Sequence, residues 1–278
     1  MKKKSKIINS ILTVILSLLS LSFVMPILII LINSFKGRFY ISDQPFSLPN
    51  AETFSGITNY INGVQKTGFI NAFIYSLIIT VFSVGLIVIF TSMTGWYLAR
   101  IKNKFTKTIY YLFVFSMIVP FQMVMFTMSK ISDTLKLGNP WGIVLLYLGF
   151  GAGMSVFMFF GFAKSIPIEV EEAALMDNCN PLQMFFLIVF PMMKPISITV
   201  AILNTMWIWN DYLLPYLVLD SKYKTLPIAV QYLQGGYGSK DMGAMMAMLI
   251  LTIIPIIIFY LTCQKYIIKG VTAGAVKG

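Results

Sequence analysis

The sequence predicts an all-α, polytopic membrane protein with about six transmembrane helices and both termini on the cytoplasmic side. Three observations carry that expectation. Hydrophobic residues fill 58% of the 278 positions and charged ones only 11%, and the mean hydropathy is +0.81, outside the range of a soluble domain. Several apolar runs reach the roughly 20 residues that a helix needs to cross hydrocarbon. The net charge of +11 gathers at the ends of those runs. That is how membrane orientation is encoded, and it argues against a nucleic-acid surface.

The chain opens on Met1 and the lysines Lys2, Lys3, Lys4 and Lys6, and a first span is expected at about 7–32, bent at Pro26. Its length, and the lack of an A-x-A-like site, distinguish it from a cleaved signal peptide. Residues 33–67, with Pro45, Pro49 and three glycines, read as an external loop with little regular structure. A second span at about 69–98 holds Gly85 and Gly95 as points of close helix packing. Arg100, Lys102, Lys104 and Lys107 make a short basic turn, and a third span comes next at about 108–128, interrupted at Pro120. The fourth span, about 141–163, contains Gly149, Gly151 and Gly153, at a helix contact or a hinge. A polar stretch at 164–195 precedes a fifth span at 196–220, an outer loop at 221–241, a sixth span at 242–264 and a basic tail at 265–278. We read the whole as a single membrane domain, 1–278, with its core at about 69–264. Placing the N-terminus inside puts the lysines of the start, the 100–107 turn, Lys164, Lys194 and the tail on the cytoplasmic side. Most of the 21 basic residues then obey the positive-inside rule.

Residues 164–195 are a polar island between two apolar runs. Ser165 can cap a helix whose first turns hold Pro167, Glu169, Glu171 and Glu172, where the positive end of the macrodipole favours acids. Ala173, Ala174 and Leu175 extend it with good helix propensity. Asp177-Asn178 ends it, since Asn tolerates positive φ, and Asn180-Pro181 reads as the cap and first position of a second helix. Phe185, Ile188, Val189 and Met192 share one face of that helix, and Pro191 and Pro195 break or bend its far end. This is a helix–turn–helix outside the lipid. Glu169 and Glu172 lie on one face, Glu171 projects elsewhere, and Glu171→Gln is expected to be mild.

Catalysis and ion coupling find little material. The chain has no histidine, which excludes His-dependent nucleophilic catalysis and His-ligated metals. Cys179 and Cys263 lie at or near the cytoplasmic side, so no disulfide is expected. No G-x-x-x-x-G-K-[ST] occurs, so the chain has no phosphate cradle of its own. Asp211 is the one acid well inside a span, and there is no clear internal repeat, which argues against a secondary transporter. Trp207, Trp209, Asn210, Asp211 and Tyr212 cluster there. An acid and an amide are costly against lipid, so they are expected to face a cavity or a neighbouring helix.

Glu172-Ala173-Ala174, Asp177-Asn178, Ile188-Val189-Phe190-Pro191 and Pro195 resemble the cytoplasmic "EAA" loop of ABC importer permeases. Asn178 stands for that pattern's usual Gly, and Phe190 for its usual Leu. Trp209-Asn210-Asp211-Tyr212-Leu213-Leu214-Pro215 is similar to a fifth-span motif of maltose-type carbohydrate importers. Asn33-Ser34-Phe35-Lys36 resembles the end of the first span in that branch. The stretch Gln264 to Gly278 is similar to the tail of the shorter, MalG-like subunit. The resemblance implies a permease subunit in the cytoplasmic membrane of a bacterium or archaeon, and not an enzyme. Its implied partners are a second permease, a dimer of ATPase subunits that binds ATP and Mg, and an extracytoplasmic solute-binding protein. A sugar is the implied substrate, another solute such as a peptide, amino acid or polyol the alternative. It further implies that Glu169, Glu172, Ala173, Ala174, Asp177 and Asn178 couple to the ATPase, with both alanines seating in a groove of that partner. Thr272, Ala273, Gly274 and Lys277 would reach the same interface from a flexible tail. Trp207, Trp209, Asn210, Asp211 and Tyr212 would line the sugar path, unless Asp211 pairs with the partner permease or caps a break before Pro215.

Overall fold

The computed structural model describes residues 2–233 and 240–275, with side chains for 9–233 and 240–264. Helices account for its regular structure, and Lys36 and Phe54 form an isolated antiparallel bridge. Among the described residues four helices are long and apolar enough to cross a membrane: Asn9–Ser34, Phe69–Arg100, Pro140–Ala163 and Met242–Gln264. Two bent pairs, Lys104–Ser116 with Phe121–Thr134 and Pro181–Met192 with Lys194–Asn210, raise the number to six if each pair is one span. The chain divides into two compact units, residues 1–70 with 229–255 and residues 71–228 with 256–278.

In the first unit, helix α1 (Lys2–Ser34) runs unbroken through Pro26, and its side chains from Asn9 to Leu28 are exposed. The loop after it is not irregular as expected. It contains α2 (Arg38–Asp43) and α3 (Thr58–Thr67) and closes on buried polar anchors. Asn59 donates to the carbonyls of Ser34 and Lys36 at 2.8 Å each. Lys36 is fully buried, and its Nζ donates to the Gln44 carbonyl at 2.6 Å and to Ser47 Oγ at 3.2 Å. A charge withdrawn from water must be hydrogen-bonded, and the loop wraps to supply the acceptors. Val230, Leu233, Ala244, Ala247 and Met248 form a small core with Tyr60 and Val64. Gly63 lets α3 approach Met248, where a Cβ would come within 2.7 Å of its methyl. Lys66 pairs with Asp241 at 2.7 Å.

The second unit is built on α4 (Phe69–Arg100), α5 (Lys104–Ser116), α6 (Phe121–Thr134) and α7 (Pro140–Ala163). It continues with α8 (Ile168–Met176), α9 (Pro181–Met192), α10 (Lys194–Asn210), α11 (Leu213–Val218) and the start of α12 (Leu226–Gln231). Helix α13 (Met242–Ala275) begins in the first unit. The chain turns by 104° between α5 and α6, where Pro120 caps α6 and donates no N–H. Gly95 lies against Phe159, and Gly151 against Ile87 and Asn204, so close that a Cβ at either would fall within 2.6 Å of a neighbour. These glycines are contact points, as small residues are in membrane helices. Gly85 and Gly149 face open space, so Gly85 is not the packing point expected.

The fifth span departs from expectation. Helix α10 stops at Asn210 instead of running to about 220. Pro215 has no N–H for the Asp211 carbonyl, and its ring would collide there. Asp211 turns extended (ψ 125°), and the short α11 starts two residues on.

Candidate functional site

The polar island folds as a helix, a turn and a helix. Its start differs in detail: Ser165 Oγ donates back to the Phe162 carbonyl, and Pro167, without a side-chain hydrogen bond, precedes α8. The turn matches the sequence. Asn178 takes φ +56°, its N–H donates to the Leu175 carbonyl, and the Cys179 N–H donates to the Ala174 carbonyl. That pair of bonds is a Schellman motif, in which a left-handed residue satisfies the last carbonyls of a helix. Asn180 then caps α9 with a reciprocal box to Gln183 behind Pro181. Within α9, Phe185–Val189 form a π-helical turn, with the Phe190 N–H bonded back to the Phe185 carbonyl. It adjoins Pro191, which offers no N–H to Leu187. The chain bends by 78° into α10, where Pro195 fits the first turn.

Helix α8 has two faces, with Glu169 and Glu172 on the outer one and Glu171 turned away from them as expected, but what the inner face holds differs from expectation. Glu171 is 5% exposed. Its Oε1 accepts from Arg100 Nη2 at 2.7 Å, Arg100 Nε at 2.9 Å and Trp96 Nε1 at 3.1 Å. Arg100 Nη2 also donates to the Ile166 carbonyl at 2.9 Å. The last turn of α4 thereby grips both the approach to α8 and its first turn. A buried carboxylate needs this many donors to offset lost hydration. Ala174, three residues on and so on the same face, is buried with Ile166, Met184, Phe185 and Val189 in the core of this unit. Trp96 packs on Phe185, ring centroids 5.6 Å apart. The expected tolerance of Glu171→Gln is therefore corrected, and Ala174 seats in this chain's own core, not in a partner's groove.

The outer face carries the remaining polar residues of the island. Glu169, Glu172, Ala173, Asp177 and Asn178 are exposed, and neither Glu169 nor Glu172 meets a basic side chain among the described residues. Beside them stand Ile168, Leu175, Met176 at 84% exposure, and Leu182. Sequence reading gave these apolar neighbours no part in the site, nor Trp96, and placed Arg100 only in the basic turn. The signal for Arg100 was its place as the last residue of a span with a short island acid to answer it.

The side chains of the Trp207–Tyr212 cluster have unlike surroundings. Trp209 is buried, its ring edge-on to Phe73 at 5.8 Å. Asp211 Oδ2 accepts from the Tyr147 hydroxyl at 3.0 Å, and its Oδ1 accepts from the N–H groups of Leu213 and Leu214. Of the readings open for it, capping a break before Pro215 is the one found. Trp207 is exposed and edge-on to Tyr147 at 5.4 Å. Asn210 is exposed, and Tyr212 stacks on Tyr216. Thr272, Ala273 and Gly274 fall within the helical backbone that runs to Ala275, where a flexible tail was expected. Lys277 lies outside the described residues.

This architecture has known counterparts. The model of the family "Binding-protein-dependent transport system inner membrane component" matches residues 91–273, an interval that holds the whole helix–turn–helix. Over 260 residues, 93% of each chain, the sequence is 39% identical to the probable starch degradation products transport system permease protein AmyC of Thermoanaerobacterium thermosulfurigenes. It is 35% identical to the multiple sugar-binding transport system permease protein MsmG of Streptococcus mutans, over all of both chains. In fold it resembles a chain from the crystal structure of a bacterial ABC transporter involved in the import of the acidic polysaccharide alginate. The TM-score there is 0.78, covering 94% of this chain and 96% of that one at 22% identity. The chain thus belongs to the family of inner membrane components of binding-protein-dependent transport systems.

Proposed function

We propose that this chain is one of two permease subunits of an ATP-driven importer for a sugar or oligosaccharide. The division of α8 into two faces carries the reading. One face is locked to Arg100 and the core, and the other presents Glu169, Glu172, Ala173 and Asp177 to solvent beside exposed Leu175 and Met176. A helix held from behind and bare in front is built to receive a push. ATP and Mg bind in the partner ATPases, whose closure drives α8 and, through Arg100, the end of α4. Asn178 sets the angle between α8 and α9. Thr272, Ala273, Gly274 and Lys277 contact the ATPases from the C-terminal end. An extracytoplasmic binding protein delivers the solute. The names of the relatives AmyC and MsmG favour a sugar over other solutes, and exposed Trp207 and Asn210 are the side chains left to meet it. The island, both termini and the 100–107 turn lie in the cytoplasm on this reading.

Glu172 is the test. If it pairs with a basic group in a partly desolvated groove, its removal costs about 2–5 kcal/mol of docking energy. An exposed charge is worth at most about 1 kcal/mol. Glu172→Ala is expected to lower co-purification of the ATPase and transport-coupled ATP hydrolysis, while the permease itself stays folded. A variant that assembles and couples like the parent would remove Glu172 from the interface.

A further inference from the structure

A cavity of about 640 Å³ opens where the α4–α5 turn, the start of α5 and the end of α7 meet. Lys102, Lys104, Lys107 and Lys164 line it, and no acid does. None of the four meets a carboxylate within ion-pair distance among the described residues. Arg100, two residues before the first of them, is already committed to Glu171 and the Ile166 carbonyl. Positive-inside topology asks only that lysines sit near this end of the helices. It does not ask them to surround a hollow.

Aromatic rings build the rest. Lys164 Nζ lies 4.0 Å from the centre of the Phe160 ring, and Lys107 Nζ 6.0 Å from that of Tyr111. Such contacts orient an ammonium without neutralising it. Tyr110 packs on Phe160 with centroids 4.0 Å apart. Two tyrosines at the mouth suit the headgroup level of a bilayer, where one end of the ring is wet and the other apolar. From the mouth, α5 continues with Tyr111, Leu112 and Phe115, each more than half exposed, as an apolar track for a chain. Asn103 caps α5 at the cavity by accepting from the Thr106 N–H at 2.8 Å, and the helix dipole adds positive potential there.

We propose that this cavity is a binding site for the headgroup of an anionic phospholipid, with the phosphate among the lysines and an acyl chain along α5. A negative head and an apolar tail are both needed to match what the walls and the track offer. A soluble anion would leave the track unused, and an acidic protein segment would leave it facing lipid unaided.

The test is native mass spectrometry of the delipidated transporter complex, titrated separately with phosphatidylglycerol and phosphatidylcholine. Lys104→Gln, Lys107→Gln and Lys164→Gln are each expected to weaken phosphatidylglycerol binding about fivefold, and the triple substitution more. Arginine at all three positions, and Lys222→Gln far along the chain, are expected to leave it unchanged. Equal retention of phosphatidylglycerol by the triple glutamine variant, or equal affinity for phosphatidylcholine, would overturn the proposal. Inorganic phosphate that binds as tightly as phosphatidylglycerol would show a free-phosphate site instead. Binding that appears only once the ATPase is removed would assign the cavity to the subunit interface. Both results reject a lipid site.

Discussion

Replacing Glu171 by glutamine keeps the shape of the side chain and removes the charge that answers Arg100. Losing one partner of a buried pair costs about 3–5 kcal/mol, whereas replacing both by apolar groups can be nearly neutral. Glu171→Gln and Arg100→Met are each expected to lower the unfolding midpoint in detergent, and the double substitution to recover part of the loss. A double variant as unstable as the sum of the singles would mean that the two groups do not act on each other. Asn178 tests the turn. At φ +56° glycine is at no disadvantage, so Asn178→Gly is expected to match or slightly exceed the parent in stability. Asn178→Val is expected to cost about 1–2 kcal/mol, because a β-branched side chain is strained there. The same unfolding assay reads both. Asn178 was legible in the sequence because its conformation is a local matter of one residue. The role of Glu171 was not, because its partner stands 71 residues earlier and no local rule links an acid in a loop to the end of a distant helix. Its spacing from Ala174 held a hint, since the small residue that packs inward carries its neighbour three positions back with it.

Among the elements, α13 is the one whose start answers to pH. Asp241 accepts from the Ala244 N–H at 3.2 Å and from Lys66 Nζ at 2.7 Å. Burial alone would raise its carboxyl. The Lys66 and Ala244 hydrogen bonds, with the charges of Lys66 and Arg38, outweigh that and hold it below the usual carboxylate value. A depressed folded value means stabilisation that is complete above the unfolded value and lost as pH falls through the folded one. Unfolding tracked from neutral pH down through the carboxylate range is expected to show a steeper acid limb for the parent than for Asp241→Asn. Superimposable limbs would show that this pair contributes nothing to the fold. The spans themselves were legible from apolar length. The fifth span was drawn through to about 220 because apolar content continues past Asn210, although a break before Pro215 was among the readings open for Asp211. The backbone chemistry of Pro215 is what cuts the helix. The ordered loop after α1 was missed for a related reason: its prolines and glycines signalled irregularity, while buried Lys36 and Asn59 hold it from within.

At the scale of the whole molecule, the charge distribution predicts which face meets the cytoplasm. With Cys179 and Cys263 replaced by serine, an impermeant thiol reagent applied from outside is expected to label a cysteine at Ser55 and to spare one at Ser165. The reverse pattern would invert the topology and remove the island from the reach of any cytoplasmic partner. The helical membrane fold and the family were legible because hydrophobic length and short motifs are written along the chain. What the inner face of α8 meets was not, because Arg100 and Trp96 come to it from a distant helix. The Arg100–Glu171–Trp96 grip also has a mechanical meaning. A linkage transmits displacement only as far as its joints resist compliance, and this joint ties α8 to the end of α4 through three hydrogen bonds on one carboxylate oxygen. If the proposed coupling holds, slackening the joint lets the partner engine run against a poorly gripped load. A transporter carrying Glu171→Gln is expected to keep hydrolysing ATP in its ATPase subunits while moving less solute per cycle, a slipping clutch and not a stalled motor.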